Sequence, residues 1–274
     1  MPADNTNRAR IAQAHGTAIE EVVHILRREP EAVLSLGDMA EMAALSPHHF
    51  CRVFRSIVGI PPVEFQAALR LDLAKRLLLT TPLSVTEICF AVGYHSPGTF
   101  TSRFTRSVGL PPRLLRRLAS EEGFVSIPSS HSESGGDGSG SAIHGHLYGP
   151  EDFSGLIFAG LFPSPIPQSR PVAGAVLSGP GPYRLAPVPD GRWFLLAAAL
   201  PASAQREERL LLPPTILVGA GEKALILWRG RVTGNPDVRL RALHPLDPPL
   251  LIALPLLLVQ ATSGKPDRLQ QEYR

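Results

Sequence analysis

The first half of the chain repeats its apolar residues every three or four positions, which is the period of an amphipathic helix. Ser46-Pro47 and Ser96-Pro97 each place an N-cap residue before a proline that suits the first helical turn, and Ser84-Val-Thr-Glu87 has the form of a capping box. The predicted helices cover residues 18–28, 37–44, 47–58 and 63–80, then a segment that begins after Ser84, and a segment that begins at Ser96-Pro97 and ends at Gly109.

The second half changes to short apolar runs separated by turn residues, such as Pro189-Asp190-Gly191. Seven or eight short strands of this kind predict an antiparallel β-sandwich. Trp193 and Trp228 fall inside two of the runs, where core packing is the expected role. The runs are 155–162, 173–177, 182–188, 193–200, 215–219, 223–232 and 238–243.

A stretch rich in Gly and Ser, from Ser126 to Gly145, separates the two patterns. It has almost no apolar surface to bury and is typical of a flexible tether. The predicted fold class is therefore multidomain α plus β, with seven helices before the tether and the sandwich after it. The predicted limits are 1–124 for the helical domain (core 17–119), 125–147 for the linker, 148–262 for the β domain and 263–274 for a polar tail.

Charge is distributed unevenly along the chain. Residues 45–119 carry a net charge of +7, from nine Arg and one Lys against three acidic residues, whereas residues 1–44 carry −3. A dense basic block in a weakly charged chain favours a polyanionic partner. The alternative is that these side chains only solvate the surfaces of helices.

The helical half contains an internal repeat with a constant offset of 50 residues. Ser46–Pro62 reads SPHHFCRVFRSIVGIPP and Ser96–Pro112 reads SPGTFTSRFTRSVGLPP, with eight identical positions. Each copy follows a short apolar helix and a tight turn, so two helix–turn–helix units joined by one long helix are predicted. A solenoid would need at least three repeats.

The first copy of the repeat has two different faces when it is drawn as a helix. Its apolar face is formed by Phe50, Phe54, Ile57 and Val58, and its polar face by His48, Arg52 and Arg55, with Cys51 at the edge. An apolar face that anchors the helix and a polar face that is open to base edges are what a recognition helix requires.

In these residues the chain resembles the DNA-binding domain of the AraC/XylS family of bacterial transcription regulators. The resemblance covers about residues 17–119 and includes the motif ICFAVGYHSPGTFTSRFTRSVGLPP in the second unit. It implies a rigid pair of helix–turn–helix motifs that read two successive major-groove segments of a promoter operator. Together with the face analysis, it predicts DNA contacts from Ser46, His48, His49, Cys51, Arg52 and Arg55 in the first unit, and from Ser96, Gly98, Thr99, Thr101, Ser102, Arg103 and Arg106 in the second.

Two residues depart from the family pattern. Ala44 occupies a place in the first turn where relatives often carry Gly, and Ser102 occupies a place where the second recognition helix often carries Arg. Because Arg52 corresponds to Ser102 in the repeat, we expect the two recognition helices to read DNA unequally.

The segment GPYRLAPVPDGRWFLLAAAL, residues 181–200, resembles the strand–turn–strand of carboxypeptidase-regulatory or transthyretin-like domains. This resemblance implies a prealbumin-like sandwich and not a peptidase. The β domain is therefore expected to be a regulatory or assembly module, for which the sequence identifies no effector ligand.

No group of residues indicates catalysis, a cofactor or a metal site. The histidines of the tether, His131, His144 and His146, lack positioned Cys or carboxylate partners. Ser178, His244 and Asp247 form a triad only in name, because no nucleophile elbow accompanies them. The chain is therefore not expected to be an enzyme.

Two other classes of function stay open from the sequence. A DNA-repair alkyltransferase fusion would need a reactive cysteine, for which Cys51 and Cys89 are the only candidates. A ligand- or protein-binding module without a regulatory role is the second.

Double-stranded DNA is the expected partner, with RNA polymerase and a second copy of the chain left open. The N-terminus lacks the apolar core of a secretory signal, and the longest apolar run, Leu250–Val259, is about half of a membrane span, so a cytoplasmic location without membrane contact is expected.

Overall fold

A computed structural model describes residues 3–120, 141–169, 171–202, 211 and 215–252. The chain divides into two compact units. The helical unit contains residues up to Ser107, Pro111–Arg116 and a distant segment, His244–Leu251. Of the described residues, the β unit contains Val108–Leu110, those from Arg117 to Leu243, and Ile252. The limits predicted from sequence placed residues 244–251 with the β domain.

The described residues up to 120 form seven helices, as the sequence predicted. They are α1 (Ala3–Arg28), α2 (Leu36–Met42), α3 (Pro47–Val58), α4 (Pro62–Thr80), α5 (Val85–Ala91), α6 (Pro97–Val108) and α7 (Pro112–Ser120). The first helix is much longer than the predicted segment 18–28. Its N-terminal part carries Asn, Arg, Gln and His, so the apolar spacing marked only the end that packs into the core.

The core of the helical unit surrounds α4. Phe65, Ala74 and Leu78 of this helix are buried, and they share the core with Ile19 of α1 and Met39 of α2. Helix α4 buries side chains around much of its circumference, because it lies between the two helix–turn–helix units. Gln66 and Lys75 are the buried polar residues of the described chain.

The β unit contains ten described strands. They are β1 (Ser141–Tyr148), β2 (Gly155–Phe162), β3 (Ala173–Leu177), β4 (Gly181–Val188), β5 (Gly191–Pro201), β6 (Leu217–Ala220), β7 (Leu225–Trp228), β8 (Arg231–Thr233), β9 (Val238–Arg239) and β10 (Arg241–Ala242). One sheet has the order β4-β1-β9 and the other β10-β6-β5-β2-β3, with β7 added to β5 and β8 added to β7.

The two sheets bury their inner faces in one core, which makes the β unit a sandwich. The first sheet contributes Ile143, Leu147 and Leu185, and the second contributes Ile157, Leu161 and Leu195, among others. Among the described strands, every pair is antiparallel except β1 with β9, which run parallel. The β-sandwich prediction is therefore confirmed, with one parallel pair added.

Three local expectations differ from the structure. Ser141–Tyr148 is a strand, so the predicted linker 125–147 extends too far, and the rest of that linker up to residue 140 lies outside the described residues. The run 223–232 is a hairpin, because Arg229 and Gly230 both have positive φ and turn the chain between β7 and β8. Trp228 is 63% exposed, since it alternates with the buried Leu227 on the outer face of its strand.

Within the described part of the chain, no helix combines the length and the hydropathy that a membrane span needs.

Candidate nucleic-acid interface

Each helix–turn–helix unit begins with a reciprocal capping box. In α2 the Ser35 hydroxyl accepts from the backbone N–H of Asp38 at 3.1 Å, while the Ser35 N–H donates to the Asp38 carboxylate at 2.8 Å. In α5 Ser84 and Glu87 repeat the arrangement at 3.2 and 2.7 Å. The hydrogen bonds from the serine N–H and hydroxyl groups hold the pKa of each carboxyl below its ordinary value. The capping box predicted at Ser84 is present, and the one at Ser35 has the same form.

The turns after α2 and α5 use a residue with positive φ, but not the same residue type. Ala44 has φ 52° in the first turn, and Gly93 has φ 77° in the second. In both turns the next backbone N–H returns to the helix, from Leu45 to Ala40 O and from Tyr94 to Cys89 O. A β-carbon on Gly93 would also displace the end of the Arg70 side chain and crowd the Glu31 carbonyl oxygen at 3.0 Å, so glycine suits this turn in space as well as in conformation.

The recognition helices α3 and α6 are anchored by equivalent pairs of buried phenylalanines. The rings of Phe50 and Phe54 lie 5.5 Å apart at 52°, and those of Phe100 and Phe104 lie 5.7 Å apart at 48°. All four side chains have no exposed surface. The repeat in the sequence is therefore a repeat in side-chain packing. Ile57, which the sequence placed with the apolar face, is 37% exposed instead.

The outward face of α3 carries the cationic side chains that the sequence placed there. Arg52 and Arg55 are exposed, as are His48 and the N-cap Ser46. Cys51 is half-buried at the edge of this face. His49 is also half-buried, and its ring lies 5.1 Å from the ring of His15 on α1. The structure thus places His49 against another helix, toward one side of the face.

The outward face of α6 carries smaller side chains than that of α3, and its two arginines stand at different positions of the repeat. The residues exposed on it are Ser96, Gly98, Thr99, Ser102, Arg103 and Arg106, and Thr101 is half-buried. Ser96 is partly used in capping, because its hydroxyl accepts from the Thr99 N–H at 3.4 Å. Arg103 lies close enough to Arg70 of α4 to lower the pKa of that guanidinium, behind the larger effect of burial. Arg103 therefore lies within electrostatic range of Arg70.

Arg70 was not singled out from the sequence, yet it supports the second turn. Its Nε donates to the Val92 carbonyl at 2.6 Å, and its guanidinium lies 4.6 Å from the centre of the Tyr94 ring. These contacts fix the residues on both sides of Gly93. An arginine on a long helix carries no sequence signal for this role, because the contact depends on how α4 and α5 pack.

Arg116 has a structural role that its position in a basic helix concealed. Its Nε donates to Leu78 O at 3.0 Å and its Nη2 to Thr81 O at 3.4 Å, which satisfies carbonyls at the C-terminal end of α4. Arg116 of the basic helix α7 therefore caps another helix. Arg113 and Arg117 of the same helix are exposed.

The candidates for other chemistry lie apart from this face. Cys89 is buried, and burial raises the pKa of its thiol, which disfavours the reactive thiolate. His144 and His146 lie on strand β1 and not in a tether, and His131 lies outside the described residues. The described ranges contain no group of three or more residues that could hold a metal ion.

Of the residues Ser178, His244 and Asp247, the last two form hydrogen bonds within a local turn. The Asp247 carboxylate accepts from the His244 N–H at 2.7 Å, and the His244 ring nitrogen Nδ1 accepts from the Leu246 N–H at 3.2 Å. Both side chains thus shape the backbone of their own segment.

Known proteins match the helical part of the chain. A family described as "Helix-turn-helix domain" matches residues 39–118. The transcriptional activator AarP of Providencia stuartii is 33% identical over 104 residues, which is 38% of this chain and 77% of AarP. The transcriptional regulator GlxA of Rhizobium meliloti is 34% identical over 113 residues, which is 40% of this chain and 35% of GlxA. A crystal structure of an AraC-type transcriptional regulator from Chromobacterium violaceum matches 39% of this chain and 96% of its own, with 27% identity and a TM-score of 0.37.

The chain spans about a third of the length of the first curated relatives it matches, between 32% and 35%. The similarity to AarP, by contrast, extends over most of that activator. The family match over residues 39–118 includes both phenylalanine-anchored recognition helices of the structure. On this evidence the chain belongs to the AraC family of helix–turn–helix transcription regulators.

Proposed function

We propose that this protein is a sequence-specific, DNA-binding transcription regulator that reads two adjacent major-groove segments of a promoter operator with α3 and α6. The observation that carries the proposal is the division of each helix into a buried phenylalanine face and an exposed polar face. A helix held in this way keeps its outer side chains in a fixed register, which base reading in the major groove requires.

The first recognition helix is the better base reader of the two. Arg52 and Arg55 can each form two parallel hydrogen bonds to the O6 and N7 atoms of a guanine, and His48 lies at the N-terminal end of the same face. In α6 the equivalent positions are Gly98, Ser102 and Thr105. Their small side chains suit close approach of the backbone and single hydrogen bonds.

The proposed DNA contacts keep the full set expected from the sequence, with different weights. Base contacts are assigned first to Arg52 and Arg55, and backbone positioning to Arg103 and Arg106. The smaller or partly buried members are assigned to edge and phosphate contacts, and they are Ser46, His48, His49, Cys51, Ser96, Gly98, Thr99, Thr101 and Ser102.

The proposal is tested by selecting operators with the full chain and then measuring affinity against salt. If about six phosphates are neutralised, the slope of log affinity against log salt concentration is about −5. The matched pair of variants is Arg52→Ala and Arg28→Ala, since Arg28 is an exposed arginine on α1. Arg52→Ala should weaken binding to the selected operator, and Arg28→Ala should not. A slope near zero, or no selected sequence, would contradict the proposal.

We further propose that the chain acts in the cytoplasm without a catalytic step of its own, and that the β unit is its regulatory or assembly module. The β unit has its own core, and Ile226 and Trp228 expose apolar surface on one face of the β7–β8 hairpin. The competing alkyltransferase function predicts methyl transfer from methylated DNA to Cys51 or Cys89. Mass spectrometry of both cysteines after incubation with such DNA should show none.

A further inference from the structure

The segment His244–Leu251, here called the strap, packs with the helical unit. Two cationic side chains hold it through its main chain. Arg27 donates from Nε to Pro245 O at 2.6 Å and from Nη2 to Asp247 O at 2.5 Å. Lys75 donates from Nζ to Leu250 O at 2.7 Å. Three carbonyls of one short segment are therefore bound by residues of α1 and α4.

Lys75 is the less usual of the two cations, because its side chain is only 1% exposed. The chain has 3 lysines, Lys75, Lys223 and Lys265, so a wholly buried one is not an incidental member of a basic surface. Its ammonium group lies 3.5 Å from the Asp72 carboxylate, and burial lowers its pKa. A buried ammonium is costly unless its hydrogen bonds are satisfied, and the Leu250 carbonyl satisfies one of them.

The strap is shaped before it binds. Asp247 and His244 close a turn through the hydrogen bonds of their side chains and through the Asp247 N–H to His244 O at 2.9 Å. Pro245, Pro248 and Pro249 restrict the rest of its backbone. Leu251 at its end has no exposed surface. A segment restricted in this way loses little conformational entropy when it binds.

A series of side-chain contacts, through Arg27 and Phe65, connects the strap to the first recognition helix. The Arg27 guanidinium that holds the strap lies 5.5 Å from the centre of the Phe65 ring. The Phe65 ring lies 5.7 Å from the ring of Phe54, which is one of the two anchors of α3. Two buried aromatic rings therefore separate the strap-binding arginine from the proposed base-reading face.

We propose that the α1–α4 surface is an intramolecular peptide-binding site, that the strap is its ligand, and that an occupied site holds α3 in the position that reads DNA. Leu243 and Ile252, the residues on either side of the strap, belong to the β unit. A change of state in the β unit is thereby passed along the chain to the strap. The effect on DNA rests on the proposed function, whereas occupancy of the site does not.

Occupancy is tested by acetylation of lysines in the native full chain with a water-soluble active ester, followed by mass spectrometry. Lys223 is exposed and serves as the internal standard. The acetylation rate of Lys75 should be at most about one tenth of the rate of Lys223, because the strap covers the amine of Lys75. Equal rates for the two lysines in the native chain would overturn the proposal.

Two variants release the strap to different extents. Leu251→Asp places a carboxylate in a buried position, and Arg27→Gln removes the charged contacts to two carbonyls while leaving the apolar packing of the strap. Both should raise the acetylation rate of Lys75, the first by about tenfold or more. Arg28→Gln is the matched control on the exposed side of α1 and should leave the rate unchanged. Circular dichroism checks that each variant is folded. If Leu251→Asp does not fold, the acetylation rate of Lys75 in Arg27→Gln decides whether the strap covers this lysine.

Affinity for the selected operator completes the test. Release of the strap should lower it by about five- to tenfold, with less than about twofold change for Arg28→Gln. Uncovered Lys75 with unchanged DNA affinity would overturn the coupling to α3. A wild-type chain that protects Lys75 but binds no DNA would overturn the proposed function and this coupling, and it would leave the peptide site established.

Discussion

The two helix–turn–helix units, α2–α3 and α5–α6, share a frame, meaning the capping box, the turn and the pair of buried phenylalanines. Their exposed surfaces are different. Their capping boxes, their returning N–H groups after the turn and their pairs of buried phenylalanines agree closely in geometry. Their outward positions differ, since Arg52 is matched by Ser102 and Arg55 by Thr105. The two units are therefore alike at their caps, turns and buried anchors, and they differ at these outward positions.

The cationic residues of α6 are displaced around the helix by one position. Arg103 and Arg106 occupy the places that correspond to Val53 and Ser56 in α3. One residue is about 100° of rotation, so these arginines leave the centre of the face, and Arg103 comes near Arg70. Under the proposed function, this difference favours base reading by the first unit and positioning on the DNA backbone by the second.

The shared frame is tested most strongly by removing one anchor from each unit. Phe54→Ala and Phe104→Ala each delete a side chain with no exposed surface, so each should lower the free energy of unfolding by about 3–5 kcal/mol. Phe54 also contacts Phe65, so its loss should be the larger by up to about 1 kcal/mol. Urea denaturation of the full chain, followed by circular dichroism, measures both. A loss for Phe104→Ala that exceeds the loss for Phe54→Ala by about 2 kcal/mol would show that the frames are not equivalent.

The different surfaces are tested by the pair Arg52→Ala and Ser102→Ala. The first should cost about 1–3 kcal/mol in binding to the selected operator and relax the preference at one base pair, because a two-pronged guanine contact is lost. The second should cost about 0.5 kcal/mol or less. Competition binding with operators that carry single base changes distinguishes a specific loss from a general one.

The reverse outcome is also informative for this pair. If Ser102→Ala relaxed base preference more than Arg52→Ala, α6 would be the main reader and the asymmetry would be wrong. Ser102→Arg sharpens the comparison, because it restores at the second helix the side chain that the first one has. It should add a preference at one base pair without changing the frame.

Local signals in the sequence explain why most of the helical unit could be predicted. The residues of the repeat that fix caps, turns and anchors act through neighbours within four or five positions, so their spacing is visible in one chain. His49 and Arg116 show the limit of that reasoning. His49 was expected at the DNA because of its helix, and spacing gave no sign that its ring also packs against the ring of His15. Spacing likewise does not indicate that Arg116 caps α4, because both contacts depend on packing between helices.

Contacts over long sequence distances explain what was missed. Strand β1 begins within a Gly/Ser-rich stretch, and its pairing with β4 and β9 decides its structure. Lys75 and Leu250 are 175 residues apart, and no local pattern connects them. The strap could therefore not be assigned to the helical unit from the sequence.

The capping boxes should contribute equally in the two units. Ser35→Ala and Ser84→Ala each remove the hydroxyl that accepts from the third residue of a helix, and each should cost about 1 kcal/mol of stability. Thermal denaturation compares them. Ser56→Ala is the control, since that hydroxyl contacts a carbonyl within its own helix. A large cost in one unit alone would break the equivalence of the frames.

The pH dependence of the boxes has a definite sign. The pKa values of Asp38 and Glu87 are lowered in the folded chain by hydrogen bonds from Ser35 and Ser84. Their stabilising effect is therefore complete above the pKa of the unfolded state and is lost as the pH falls through the lower, folded value. Asp38→Asn and Glu87→Gln should flatten the acid side of the stability curve, and an unchanged curve would contradict the assignment.

The smallest expected effect comes from the turn, where the two units carry different residue types at the position of positive φ. Ala44 has φ 52° where the second unit has Gly93, and an alanine in this left-handed region is disfavoured by roughly 1–2 kcal/mol. Glycine relieves that strain but is more flexible in the unfolded chain, which takes back about 0.5–1 kcal/mol. Because Ala44 is exposed, its methyl group contributes little packing that would be lost. Ala44→Gly should therefore raise the free energy of unfolding by about 0.5–1 kcal/mol, without changing operator preference.

Ala43→Gly is the matched control and should lower the free energy of unfolding, since Ala43 is buried and has a negative φ. Denaturation of both variants decides the point, and a loss of stability in Ala44→Gly would mean that the first turn does not follow the pattern of the second.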